Sequence, residues 1–356
     1  MEVVIIHPNV AFRARSETRQ VCNVRVHCDA VRYGFQRGLH GKDISMRILI
    51  MGATGFIGKA LCKLLIKEGH EILALSRNPK KAAESFPPDI PIIEWDGRST
   101  RFLDERSKTL HGIVNLAGEN IGTGRWSRTK KRQILESRVH AGRALVEAVR
   151  HADQKPKVVV QASAIGFYGS THDEVLDESS PSGTGFLAEA GQQWESSSKE
   201  VESLGCRRVI IRSGVVLGTS GGVLPKLLRP FRLFLGGPPG NGSQWFSWIH
   251  LEDEILAIRF LLEKEDAHGV YNLTTPEPLT MRRFCRVLGK TMNRPSWIPV
   301  PAPFVRLVLG EMGKELLLSG QRVIPKRLLE AGYQFLYPDA ETALAEILRD
   351  IRRRGR

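Results

Sequence analysis

Arg47-Ile48-Leu49-Ile50-Met51-Gly52-Ala53-Thr54-Gly55-Phe56-Ile57-Gly58 is the stretch on which the fold reading turns. Its first five residues make a short, largely apolar run suited to a buried parallel strand. The apolar positions from Lys59 to Gly69 suit a helix packed on a sheet. Between the two, Gly52 can take a tight turn, Gly55 lets the backbone approach a pyrophosphate, and Gly58 permits close packing of helix on strand. Amides in the first helical turn can then donate to phosphate oxygens, aided by the positive end of the helix dipole. Glycine spacing alone is a weak signal and also fits a purely structural turn. In the order strand, turn, helix it predicts a dinucleotide site made by Gly52, Thr54, Gly55, Phe56, Ile57 and Gly58.

The next strand candidate, Glu71 to Leu75, runs into Ser76-Arg77-Asn78. A carboxylate at its end would accept hydrogen bonds from an adenosine ribose. Arg77 instead offers a cation suited to a 2'-phosphate, which favours NADP over NAD; an ordinary surface arginine is the alternative. Ile90 to Trp95 continues the alternation, followed by Gly112-Ile113-Val114-Asn115-Leu116-Ala117-Gly118. The latter reads as a strand emerging into a loop beside the cofactor, where Ala117 and Gly118 allow close approach. Asn115 either orders that loop or contacts the cofactor. A helix over Thr129 to Val149, a strand at Lys157 to Ser163 and a further strand at Arg207 to Gly214 complete the pattern. Such alternation predicts an α/β fold: a Rossmann-type, doubly wound parallel sheet.

Beyond about residue 220 the texture changes. Gly236-Gly237-Pro238-Pro239-Gly240-Asn241-Gly242 and Thr274-Thr275-Pro276-Glu277-Pro278 punctuate helices and short strands, as expected of a smaller C-terminal, substrate-facing lobe. The expected organisation is a dinucleotide-binding domain over 46–220, a mixed lobe over 221–347 with some elements returning to the main domain, and a basic tail over 348–356. Residues 1–45 carry seven Lys or Arg and four Asp or Glu without sustained amphipathic period. They read as an extension or an upstream start, with added structure as an alternative; Glu2, Glu17, Asp29 and Asp43 weaken an organellar targeting reading.

Bulk composition narrows the partners. The 356 residues are 42% hydrophobic and 25% charged, and no apolar run approaches the roughly twenty residues needed to span a bilayer. The net charge of +14 attracts anionic ligands. The densest basic group, Arg125, Arg128, Lys130, Lys131 and Arg132, sits in no nucleic-acid-binding motif, so a solvated helix face or a phosphate contact is expected and no specific nucleic acid. Five scattered cysteines favour reduced thiols in a cytoplasmic setting, and no His/Cys/Asp cluster merits a metal assignment.

Several segments carry a family resemblance: Gly52 to Gly58, Asn115 to Asn120, Ser163-Ala164-Ile165-Gly166-Phe167-Tyr168-Gly169, Arg212 to Gly218, Trp248 to Asp253, and Ser319 to Pro325. Together they resemble the extended short-chain dehydrogenase/reductase superfamily, in its NAD-dependent epimerase/dehydratase-like branch. More narrowly, the chain is similar to an epimerase-like family, labelled as nucleoside-diphosphate-sugar epimerases, that has its own C-terminal module. The resemblance covers Met46 to about Ile347.

It implies a Tyr and, four residues later, a Lys on the helix after the serine strand, where the two share a face and move a proton beside the nicotinamide. Here those positions fall at Phe186 or Leu187 and at Ala190 or Gly191; the usual pair is absent. Ser163 lies near the family's substrate-contacting serine, unless an offset of one places that role at Ala164. Replacement catalytic groups are sought in Glu189, Glu119 and, less directly, His250. Tyr168, Asp253, Trp245, Phe246, Trp248, Arg212 and Arg322 are expected to serve packing, capping or site lining. The implied function is an NADP-binding, epimerase-like oxidoreductase acting on an unidentified small molecule by hydride transfer at an alcohol or carbonyl carbon. The alternative is a noncatalytic NADP-binding sensor or regulator. A homodimer is compatible with either.

Overall fold

The structure, a computed structural model, describes residues 45–100, 107 and 109–354, all within the compact unit Ser45–Arg356. The expectations for the first 44 residues lie outside the described residues. At the centre is a seven-stranded parallel sheet: β1 (Arg47–Met51), β2 (Glu71–Ser76), β3 (Ile92–Glu94), β4 (Gly112–Asn115), β5 (Val158–Ala164), β6 (Arg207–Ser213) and β7 (Gly269–Leu273). Across the sheet they run β7-β6-β5-β4-β1-β2-β3. Neighbours are in parallel register, for example Met51 opposite Leu75 on one side and Asn115 on the other. The inner strands are apolar without alternation because helices cover both faces; Ile48, Leu49, Ile50 and Met51 are all buried.

Helix α1 (Phe56–Lys67) returns from β1, α2 (Arg128–His151) from β4, and α3 (Phe186–Ser196) follows β5. Ser127 caps α2 by accepting from the Lys130 amide, and β5 begins six residues after its cap Ala152. One core lies under α2, with Leu49, Leu73, Ile113, Leu145 and Val159 packed together. The strand order reverses between β1 and β4, so the loops leaving their C-terminal ends diverge and open a crevice.

A second core gathers the later residues: Leu228 and Phe231 of the helix Leu224–Arg232, Trp248, and residues of α5 (Met281–Met292) and α6 (Ala340–Arg354). Between these comes α4 (Leu251–Glu263), which leads directly to β7 at the sheet edge. Residues 348–354, read from sequence as a basic tail, continue α6, and Leu348 is buried in this core. The apolar spacing Leu344, Ile347, Leu348, Ile351 keeps one face of that basic segment on the core. Asp253, in the first turn of α4, accepts from the Leu336 and Tyr337 amides and the Tyr333 hydroxyl at 2.8–3.0 Å, tying the C-terminal segment to α4.

Candidate active site

The glycine turn after β1 sits at the crevice. Gly52 has φ +85°, and a Cβ there would lie 2.8 Å from the carbonyl carbon of Leu116 and 2.9 Å from the Ala117 nitrogen. The two diverging loops therefore touch through bare backbone, a conformation and a spacing open only to glycine. A Cβ on Gly58 would fall 2.2 Å from the Gly52 oxygen, so α1 seats on the turn only with glycine there. Gly55 caps α1 with no side-chain hydrogen bond, leaving the amides of Phe56, Ile57 and Gly58 as first-turn donors. Thr54 completes the turn. The Phe56 ring packs on the 218–222 segment, where Cβ atoms on Gly218, Gly221 and Gly222 would approach it to 2.8, 2.6 and 3.2 Å. Sequence reasoning placed Phe56 in the cradle by its backbone and missed this anchoring of the 218–222 segment.

Arg77 is exposed just past β2. Its charge reaches Glu119: the Lys130 hydrogen bond at 2.7 Å holds the Glu119 carboxyl below its ordinary range against burial, helped by Lys130, Arg77 and Arg138 charges. Glu119 is therefore an ionised partner of Lys130. Asn115 is fully buried; its amide donates to Gln161 and its oxygen accepts from the Ala117 amide. The second of these bonds ties it to the Leu116-Ala117-Gly118 loop. Gly118 faces Arg138, whose guanidinium donates to the Glu119 carbonyl.

At the end of β5, Ser163 is 3% exposed and its hydroxyl donates to Glu195 Oε1 at 2.6 Å. The Arg212 fork grips both Glu195 oxygens at 2.8 and 2.9 Å, and donates to the Tyr168 hydroxyl, which donates to Asn272. Burial would lower the Arg212 pKa, but the hydrogen bonds and charge of Glu195 outweigh it and raise it. Burial raises that of Tyr168. A serine has one proton, and here Glu195 takes it. Ser163 thus locks β5 to α3, with its hydroxyl proton directed at Glu195 and its lone pairs left as acceptors; Ala164, on the opposite pleat, is the partly exposed neighbour. Glu195 and Arg212 carry this lock, and sequence spacing held no signal joining them.

The positions of the usual Tyr/Lys pair hold packed apolar side chains, with Phe186 and Leu187 half-buried. Phe186 packs edge-on to Trp126 with ring centroids 5.2 Å apart, in a cluster with Leu187, Leu309 and Met312. A Cβ on Gly191 would already meet Phe167 at 3.3 Å. Glu189, in the first turn of α3, is exposed.

His250 accepts from the Glu252 amide as cap of α4 and stacks 4.0 Å from Tyr337. Phe246 and Trp248 are core. Trp245 lines a cavity of about 510 Å³ with Thr171, Asp173, Asn241, Gln244 and Arg306. Arg322 lies over the Trp245 indole at 4.4 Å, and the Trp245 indole nitrogen donates to Asp173. The basic cluster is largely paired: Lys131 with Glu311 at 2.8 Å, and Arg125 with the Leu307 and Val308 carbonyls. Among the described residues, Glu68, His70 and Glu263 bring ligand atoms within 4.8 Å of one another. Arg259 sits among them, 2.8 Å from Glu68, and the Met46 amide donates to His70 Nδ1, so an internal cation already balances the carboxylates.

Against known proteins, residues 48–274 match the NAD dependent epimerase/dehydratase family and residues 300–347 a domain of unknown function, DUF1731. Epimerase family protein SDR39U1 of Homo sapiens is 38% identical over 85% of this chain and 100% of its own length. Epimerase family protein YfhF of Bacillus subtilis (strain 168) is 36% identical over 86% and 99%. A crystal structure of human SDR39U1 (isoform2) with NADPH superposes with TM-score 0.77 at 37% identity, covering 86% of this chain and all of that one.

Proposed function

The chain belongs to the NAD dependent epimerase/dehydratase family, and from that premise we propose that it is an NADP-binding, epimerase-like oxidoreductase whose proton chemistry departs from the Tyr/Lys pair. The observation that carries the proposal is the bare-backbone contact of Gly52 with Leu116 and Ala117 at the strand-order reversal, with Gly58 seated on the same turn. This turn aims the first-turn amides of α1 outward as a pyrophosphate site requires, and a side chain at either glycine would collide with neighbouring backbone and break it. Phe56, Ile57 and Gly58 would donate backbone hydrogen bonds to the phosphates, with Thr54 and Gly55 shaping the approach. Leu116, Ala117 and Gly118 would flank the adenosine half, in a loop that Asn115 holds. Arg77, exposed at the end of β2, would pair a 2'-phosphate. The solved human relative, with its NADPH, supports that preference.

When bound, the nicotinamide would exchange a hydride with a carbon bearing an alcohol or carbonyl. Ser163, through Glu195 and Arg212, fixes the end of β5 against α3 and so the floor of the site. Glu119 is held ionised by Lys130 and is a poor proton donor. Glu189, exposed on the helix that ordinarily carries the pair, is the group we assign to take or give the substrate proton, directly or through water. The cavity beside Trp245 would receive the rest of the substrate.

Anaerobic incubation of the full chain with NADPH and a panel of carbonyl compounds and nucleotide sugars tests this. Repeated, stoichiometric conversion is expected, and Glu189→Gln should lower kcat with cofactor affinity kept. Tight NADPH binding with no turnover of any panel member, but with altered affinity for a protein partner, would overturn the enzymatic reading in favour of a regulatory one.

A further inference from the structure

The segments 224–240 and 281–309 hold nine Lys or Arg and no Asp or Glu, and they meet in space. The Trp297 amide donates to the Gly236 carbonyl, Val300 to Pro238 and Gly240 to Val300. Arg294 lies over the Phe234 ring at 4.3 Å, and the Trp297 indole nitrogen donates to the Phe234 carbonyl. On this seam, large apolar side chains point outward: Leu233 is 69% exposed and Trp297 70%, with Phe234, Leu235 and Ile298 also exposed. Phe234 has φ +62°, a conformation bulky residues avoid, and it makes a turn tip of Leu233-Phe234-Leu235. Cations border the tip at Arg229 and Arg232, both exposed. The first-turn and outer positions of α5, Arg282, Arg283 and Arg286, are exposed cations too, while its Phe284, Cys285 and Leu288 are buried.

Contiguous exposed apolar surface of this kind marks an interaction site. A second copy fits poorly, because a two-fold interface would set this cationic patch against itself. Apolar turn residues and an exposed tryptophan set among arginines match an interface of acyl chains and anionic headgroups. We propose that this edge of the second lobe docks on an anionic lipid surface, with Leu233-Phe234-Leu235 and Trp297 entering the headgroup layer and the surrounding arginines pairing lipid phosphates. Attachment is peripheral: among the described residues no helix is long and apolar enough to cross a membrane.

Flotation of the full-length chain with phosphatidylcholine vesicles, and with vesicles of phosphatidylcholine and phosphatidylglycerol in equal parts, tests this. The expected result is binding to the anionic vesicles alone, weakening as salt rises. Arg232→Gln should weaken it about fivefold. Phe234→Asn, a residue at ease with positive φ, should weaken it about tenfold or more. Circular dichroism and the thermal midpoint confirm that both variants are folded. Equal binding to both vesicle types, or variants that bind anionic vesicles like the parent, overturns the proposal. So does a concentration-dependent dimer that Phe234→Asn dissociates without any vesicle binding, or RNA bound through the same residues in preference to vesicles.

Discussion

Ser163 and Glu195, thirty-two residues apart in sequence, share a 2.6 Å hydrogen bond beneath the crevice, and the second partner of that carboxylate is the Arg212 fork. The pair joins β5 to α3. Removing one partner of a buried ion pair leaves the other uncompensated, at a cost of roughly 3–5 kcal/mol. Glu195→Gln should therefore lower the thermal midpoint sharply. Ser163→Ala removes only a hydrogen bond to a charged group, about 1.5–3 kcal/mol, and should leave NADPH affinity nearly unchanged. A loss of turnover beyond a hundredfold in Ser163→Ala with stability intact would return Ser163 to direct catalysis.

Gly58→Ala should unseat α1 from the turn. The added Cβ would lie 2.2 Å from the Gly52 oxygen, a backbone atom that cannot swing aside. Overpacking of this kind costs roughly 1–3 kcal/mol, and the displaced amides should weaken dinucleotide binding more than tenfold in an equilibrium titration.

Arg77→Ala tests the phosphate preference. Loss of a charge-assisted contact worth about 1.5–3 kcal/mol should weaken NADPH binding about tenfold to a hundredfold, with NADH affinity unchanged. An equal effect on both cofactors would place Arg77 elsewhere than at the 2'-phosphate.

Two buried acids set a pH dependence of stability. Burial pushes Glu254 from 4.5 up to about 8, opposed by the Ser213 hydroxyl, and its Oε2 has no partner. Burial pushes Asp253 from 3.8 up to about 6 against its three hydrogen bonds. Between the unfolded and folded values the folded state holds more protons, so stability falls as pH rises from about 4 to about 8. At about 1.4 kcal/mol per unit, Glu254 contributes several kcal/mol of that fall. Glu254→Gln should flatten the upper part of the profile and raise the denaturation midpoint at pH 8. An unchanged profile would show that Glu254 is ionised in the folded protein.

The half of the molecule up to β6 was legible because each signal was local: an apolar strand, a glycine turn and a helix face lie within a dozen residues of one another, as at Arg47 to Gly58. The helix expected over Thr129 to Val149 is observed as Arg128–His151. What stayed hidden depends on distant pairs. β7, Gly269–Leu273, reaches the sheet edge beside β6 from deep in the later sequence. The lock of Ser163, Glu195, Arg212, Tyr168 and Asn272 draws one residue from each of several elements. The partners that Asn115 holds, Gln161 and the Ala117 amide, likewise could not be read from sequence. The packing of Phe186 and Leu187 against Trp126 and Met312 likewise needed the C-terminal segment in place.

Equilibrium titration of the full-length protein with NADPH and NADH, followed by nucleotide fluorescence and repeated with Gly58→Ala, tests the dinucleotide cradle most directly. Saturable one-to-one binding, tighter for NADPH and lost in the variant, is the predicted result. No detectable association of either nucleotide with the folded parent protein would contradict it.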